Sequence, residues 1–404
     1  MHIAGQPVTA TVPKPELDSR TAKLQKTLCS KGLGGALIVE KTDLYYFAGT
    51  SQQGWLYVPA EGQPLLMIFK DYDRACQEST VERIVSISGT KKIPSVLGEY
   101  GCPLPEKLGM ELDVLPAALY FQYNTIFTDS KIEDISLEIR LTRAIKSPYE
   151  IDKIRKAAEL SDKVAAHVET CLQAGMTEVA LAGQLEGYCR SLGHQGVVRM
   201  RMFNNELFYG HLMCGDSAAV PSYLASPTGG RGVSSVIGQG AGFARIKENQ
   251  PVLVDYVFAL DGYLSDHTRI FSLGKIDEEL CRAHEAMVQL QNRIKNLARP
   301  GVLTGELYEE MVAFAAEKKV GDHFMGFGQR KIRFTGHGVG LELDEFPFIA
   351  KGQKMALEEG MVIALEPKAI YPGKGVVGIE NTHVVTGNGL ETLTQFPDDI
   401  KVLK

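Results

Sequence analysis

The sequence predicts a chain of two mixed parts, a small α/β domain followed by a larger α+β domain built from a pseudo-duplicated αα-ββ unit. Three observations lead there. At 404 residues the chain is long for one core and comfortable for two domains. From Glu16 to about residue 140, helical and β-rich runs alternate. Beyond that, one order of elements occurs twice: LQAGMTEVALAGQLEGYCRSLG (172–193) and LARPGVLTGELYEEMVAFAAEKKVG (297–321) share the layout helix, Gly, short turn, helix, Gly. A long helical run precedes each copy, 148–173 and about 278–298, and a glycine-rich β region follows. Two such halves would meet around a shared cleft, where chemistry is expected.

The elements follow in order. Residues 1–15 carry Pro7, Pro13 and Pro15 with little periodicity and read as a loose arm. They lack a basic segment leading into an apolar one, so no signal peptide is expected. Leu17, Leu24 and Leu28 fall at helical spacing in 16–31, and Gly32 stops that helix. GALIVEKTDLYYFAG (35–49) and LLMIF (65–69) read as short β-rich runs, completing a domain over 16–140. A second domain, 141–404, opens with KSPYEIDKIRKAAEL: Ser147, Pro148 and Glu150 stand as N-cap, N1 and N3 of a capping box. Ile151, Ile154, Ala158, Ala165, Val168 and Leu172 keep one face of that helix apolar, Gly175 ends it, and another helix runs from about Glu178 to Leu192.

Bulk composition narrows the function classes. Apolar residues are 44% and charged residues 23%, with a net charge of −6 and no basic stripe, so nucleic acid and anionic membrane are poor partners. Runs such as PLLMIF (64–69) are too short to span a bilayer. Seven dispersed cysteines without a Cys-x-x-Cys read as reduced thiols of a cytoplasmic protein.

The chemistry-bearing residues are carboxylates and one histidine. PVLVDYVFALDGYLSDHTRIF (251–271) holds two β-rich runs around Asp261-Gly262, a type I′ hairpin signal. With that pair as the loop, Leu260 faces Tyr263, Asp255 faces Thr268, and Asp266 shares the face of Asp255 diagonally across the ladder. Leu253, Val257, Tyr263 and Ile270 make these strands apolar, and buried charges need pairing or a metal. GMVIALEP and GVVGIENTHVV form a second such pair, Glu366 ending one strand and Glu380 lying inside the next. In GHGVGLELDE (336–345), Gly336, Gly338 and Gly340 fence His337, letting the loop bend sharply and approach metals and substrate closely. Four carboxylates and one imidazole suit two divalent ions, Mn, Fe or Co, with Zn possible.

These residues resemble the pita-bread-fold metallopeptidases, which include Xaa-Pro aminopeptidases, prolidases, methionine aminopeptidases and creatinase. Asp255, Asp266, His337, Glu366 and Glu380 match that family's ligand pattern in order, within DGYLSDHTR, GHGVGLE, LEEGMVIALEP and GIENT. Arg20, Leu24 and YYFAG (45–49) fall where the creatinase-type amino-terminal domain has its signature, favouring the Xaa-Pro aminopeptidase, prolidase and creatinase branch. The resemblance implies a creatinase-type amino-terminal α/β domain, a pita-bread catalytic domain, and a homodimer. It also implies hydrolysis of a C–N bond by a metal-bridged hydroxide, with Glu366 shuttling the proton to the leaving nitrogen.

The chain departs from the pattern around those ligands. Gly238 stands where the family's peptidases place a histidine, Asp344 where they place a second, and Gly378 where the Xaa-Pro branch has arginine. Losing one donor to a developing oxyanion costs ~10²–10³ in rate. His211 and His267 are candidate substitutes, whereas His383 has the wrong strand parity to join Glu380. Asp344 could act as a protonated acid, contact a cationic substrate amine, or have no role. The expected substrate is a peptide or a small-molecule amide. The competing functions are an amidinohydrolase or lyase on the same fold and a non-catalytic binding module. A sulfonium lyase is disfavoured by Val257, which stands where that branch has an extra aspartate.

Overall fold

The computed structural model describes residues 11–207 and 209–404. The chain divides into one compact unit up to Arg143 and a second from Ala144 to Lys404. Most of the expected arm therefore lies outside the described residues. In the first unit, strands β1 (Gly35–Ile38), β2 (Gly54–Pro59), β3 (Leu65–Ile68), β4 (Ile84–Ser86), β5 (Lys107–Met110) and β6 (Lys131–Asp134) form one mixed sheet in the order β4-β3-β2-β1-β5-β6. Helices α1 (Lys14–Lys31), α2 (Lys41–Ala48), α3 (Tyr72–Glu78), α4 (Ile93–Glu99), α5 (Ala117–Ile126) and α6 (Ser136–Ala144) accompany it.

Two sequence expectations are corrected here. Lys14 and Pro15, assigned to the arm, belong to α1, because proline is tolerated in a first turn where the missing N–H has no partner to lose. The YYFA stretch is helix, not strand. The Glu40 side chain accepts from the amides of Thr42 and Asp43, and Gly49, at φ 71°, stops α2, so the caps override the aromatic β propensity.

The second unit repeats its layout. Helices α7 (Pro148–Cys171) and α8 (Glu178–Ser191) lead to β7 (Gly210–Cys214), a single turn α9 (Gly215–Ala218), β8 (Val252–Leu260) and β9 (Tyr263–Leu273). Helices α10 (Glu278–Leu297) and α11 (Thr304–Glu317) lead to β10 (Phe334–Gly338), β11 (Glu345–Ala350), β12 (Val362–Leu365), β13 (Lys368–Tyr371), β14 (Gly375–Gly378), β15 (Asn381–Thr386), β16 (Gly389–Thr392) and β17 (Lys401–Leu403). The sheets run β17-β9-β8-β7, β11-β10-β12-β15-β16 and β13-β14. This is the pita-bread arrangement. The expected box closes α7: the Ser147 hydroxyl accepts from the Glu150 amide at 3.2 Å, and the Glu150 carboxylate accepts from the Ser147 amide at 3.0 Å.

The β8–β9 hairpin has the expected register, with Leu260 opposite Tyr263 and Asp255 opposite Thr268. Asp261 and Gly262 both take positive φ, 51° and 91°, as a type I′ turn requires. Both faces of this sheet are covered, since β9 is buried along its whole length. Val252, Val254, Tyr256 and Phe258 pack into the core formed with α7 and α8. Leu253 joins the other core, and Asp255 and Val257, on the same face of β8, open into a cavity instead. No described helix is long and apolar enough to cross a membrane.

Candidate metal and substrate site

That cavity, about 430 Å³, lies wholly within the second unit. Its floor is acidic and its rim apolar: Asp255, Asp266, His337, Glu366 and Glu380 line it together with Met200, Met202, Leu207, Tyr223, Phe334 and Phe348. All five residues expected to hold metal therefore come together, although they start on five different strands or strand ends. Asp255 and Asp266 project from β8 and β9. His337 lies in β10. Glu366 and Glu380 sit just outside paired strands, between β12 and β13 and between β14 and β15, so Glu380 is at a strand junction rather than inside a strand.

The local sequence explains this geometry. Of the glycines around His337, Gly340 opens the bend over 340–344 that turns β10 back onto β11, and none of the three needs a positive φ. The glycines also permit close approach. A Cβ on Gly336 would stand 2.6 Å from the Ala364 carbonyl oxygen, and one on Gly338 would stand 2.2 Å from that of Phe346. Stripping these positions lets β11 and β12 close on both sides of His337. The His337 Nδ1 faces the carbonyl oxygens of Leu343 and Gly338, each at 3.1 Å. Carbonyls only accept, so Nδ1 carries a proton and Nε2 is the nitrogen turned to the cavity, free to bind a cation when deprotonated. Nε2 lies 3.6 Å from an Asp266 oxygen and 3.8 Å from Glu380 Oε1.

A layer of polar groups holds the acids in place. The Thr268 hydroxyl donates to Glu380 Oε2 at 2.8 Å, and the Asp266 amide donates to the Thr382 hydroxyl at 2.9 Å. The buried Arg269 guanidinium donates to the Glu380 carbonyl at 3.0 Å and to the Asn381 side chain at 2.8 Å. Glu380 Oε1, by contrast, is buried with no hydrogen-bond partner among the described residues. Asp266, His337 and Glu380 each offer one donor atom within 4.8 Å of the others, the spacing of a cation cage. The residues thus fit one divalent ion.

One occupant of the site was absent from the sequence reading. The Lys368 ammonium donates to Asp255 Oδ2 at 3.1 Å, Glu366 Oε2 at 2.9 Å and Glu380 Oε2 at 2.9 Å. Asp255 and Glu366 therefore each face an ammonium nitrogen. The signal was present: Lys368 follows Glu366 by two, and in an extended chain such residues share a face.

Burial and mutual charge set the protonation of these groups. Burial pushes the Glu380 carboxyl up to about 8, against the pull of Lys368. Burial, with Glu380 and Asp255 nearby, raises Asp266 well above the usual carboxylate range. Burial also works against ionised Asp255, but the Lys368 ammonium beside it outweighs that and its net shift is downward. For His337 burial disfavours the cation, yet Asp344 and Asp266 raise the imidazole overall. Lys368 is raised well above its ordinary value, because Asp255, Glu366 and Glu380 overcome the burial that opposes its charge.

The remaining expected residues divide. His211, opposite Asp255 in the β7–β8 ladder, lines the cavity with Nε2 3.2 Å from Gln239 Oε1. Burial lowers its pKa, so it is neutral near pH 7. Gln239, the neighbour of Gly238, is a second polar group the sequence reading did not single out. Asp344 is also in the cavity wall, one oxygen 3.7 Å from His337 Nδ1. His267 is not brought to the site: it points to the other side of β9, its Nδ1 3.1 Å from the Ser161 hydroxyl. His383 lies buried in β15 outside the cavity, in line with its strand parity.

Known proteins resemble this chain over nearly its whole length. The profile of metallopeptidase family M24 matches residues 152–387, and that of the creatinase/prolidase N-terminal domain matches residues 20–145. The Xaa-Pro dipeptidase of Pyrococcus furiosus is 28% identical over 384 residues, spanning 94% of this chain and 98% of that protein. The uncharacterized peptidase YqhT of Bacillus subtilis is 26% identical, over 94% of this chain and 99% of its own. Among solved structures, the prolidase of Pyrococcus horikoshii superposes with a TM-score of 0.78 at 25% identity, covering 94% of this chain and 99% of that one. The Xaa-Pro dipeptidase of Bacillus anthracis gives 0.81 at 24% identity, covering 96% and 100%.

Proposed function

The chain belongs to metallopeptidase family M24, and we propose that it hydrolyses a C–N bond, that of a short peptide, with a divalent cation held by Asp266, His337 and Glu380. The observation that carries this reading is the unpartnered Glu380 Oε1 beside His337 Nε2 and Asp266 at the floor of an apolar-rimmed cavity. Mn, Fe, Co and Zn all suit the mixed oxygen and nitrogen donors. A bound cation there would lower the pKa of water and polarise the scissile carbonyl.

The chain's own residues do the rest. Glu366, one oxygen fixed by Lys368, takes a proton from water and delivers it to the leaving nitrogen. Asp344 receives the substrate's amino-terminal ammonium. Neutral His211 and Gln239 form the polar wall on the carbonyl side, where the family's histidine is replaced by Gly238. Phe334, Phe348, Met200 and Met202 accept an apolar substrate side chain and keep water from the reacting atoms.

The test is a substrate panel. Protein stripped with a chelator and reloaded with each of the four metals is offered di- and tripeptides with and without proline, alongside guanidino and sulfonium compounds. Peptide turnover that needs a divalent ion is expected. Turnover of the small molecules alone would replace this reading with an amidinohydrolase or a lyase.

A further inference from the structure

Lys368 is 1% exposed, and its side chain ends in a closed tripod. An ammonium has three N–H donors and no acceptor. Here three carboxylate oxygens, from Asp255, Glu366 and Glu380, accept them at 3.1, 2.9 and 2.9 Å. No donor remains for a substrate, so the group is not poised as an acid or a nucleophile. Three carboxylate oxygens converging on one buried positive centre make the coordination shape of a cation. The place is filled by nitrogen.

The surrounding backbone is shaped for this lysine. Lys368 pairs with Gly378 across the β13–β14 ladder. A Cβ on Gly378 would lie 2.3 Å from the Pro367 carbonyl oxygen, 2.7 Å from Lys368 Cα and 3.2 Å from Lys368 Cγ. The arginine usual at this position in the Xaa-Pro branch would collide with the lysine stem, and its absence makes room for it. Charge agrees. Four carboxylates carry four negative charges, of which the ammonium cancels one and a single dication two more. A second dication beside the ammonium would instead meet a fixed positive charge at contact distance.

We propose that the Lys368 ammonium is a built-in replacement for one of the two cations, so that the chain binds a single divalent ion, between Asp266, His337 and Glu380. This rests on the reading of the site as metal-dependent. Lys368 is then a positioning residue: it fixes Asp255 and Glu366 with a charge that cannot be chelated away.

The test is stoichiometry rather than activity. Full-length protein is stripped of metal, titrated with Mn²⁺ by calorimetry and counted by elemental analysis, as wild type and as Lys368→Gly. One ion per wild-type chain and two per variant chain are expected, and the wild-type Mn²⁺ spectrum in electron paramagnetic resonance should be that of an isolated ion. Two ions on the wild type, or the spectrum of an exchange-coupled pair, overturns the replacement while leaving metal-dependent hydrolysis standing. No ion on either protein overturns both. Should Lys368→Gly fail to fold, the wild-type count and spectrum decide alone.

Discussion

Each unit of the chain buries acidic side chains, and the acids at the cavity floor of the second are treated unlike those of the first. In the first, Asp43 is fully buried and accepts from Arg143 at 2.6 Å. The equally buried Glu111 accepts from the amides of Val39 and Glu40 at 3.0 and 3.2 Å. In the second, Glu380 keeps a buried oxygen without a hydrogen-bond partner among the described residues, and His337 Nε2 beside it stands 3.8 Å away. Burial and a raised pKa do not separate the two clusters, because both Glu111 and Glu380 are pushed up to about 8. Satisfaction of the oxygens does. A structural acid has its lone pairs occupied by the protein, whereas an acid kept for a ligand has one left over.

The sharpest break of this comparison is Glu366→Gln, which keeps the shape and removes the proton acceptor. Turnover should fall ~10²–10⁴-fold, the usual share of acid–base catalysis, with metal content and circular dichroism unchanged. Asp344→Asn should lower kcat/KM for peptides with a free amino terminus by about tenfold to a hundredfold, roughly 1.4–2.8 kcal/mol of lost transition-state stabilisation. Blocked peptides should be unaffected, and a variant with wild-type kinetics on both would leave Asp344 without a role. Gly378→Ala should lower stability by ~1–3 kcal/mol, through both its φ of 143° and the contact with Pro367, read as a fall in melting temperature.

The first unit's counterpart is Glu111. Its carboxyl is raised in the folded chain, by burial and then by Asp43, from 4.5 to about 8. Between those values the folded state holds a proton that the unfolded state has released. Stability from this group is therefore complete below about 4.5 and is lost as pH rises through about 8. Glu111→Gln should flatten that part of the profile of unfolding against pH, while leaving metal binding untouched. A change in bound metal would erase the distinction between the clusters.

Much of this was legible in the sequence for physical reasons that can be named. The β8–β9 register followed from one dipeptide, Asp261-Gly262, because a type I′ turn fixes every pair above it. The α7 entry followed from Ser147, Pro148 and Glu150. Propensity misled at 41–48, where aromatic residues suggested a strand and the caps Glu40 and Gly49 made a helix. At the site, residue types and order identified the five side chains lining the floor, and distance was beyond their reach. Lysine in an apolar strand looks like a surface charge until the chain turns it inward. Only the parity of Glu366 and Lys368 hinted at it.

The most direct measurement is an anomalous difference map from crystals soaked in Mn²⁺ or Zn²⁺. The account predicts one peak, bordered by Asp266, His337 Nε2 and Glu380 Oε1, with Lys368 density still reaching Asp255 and Glu366. Two peaks with the lysine displaced, or no peak among those three donors, would contradict it.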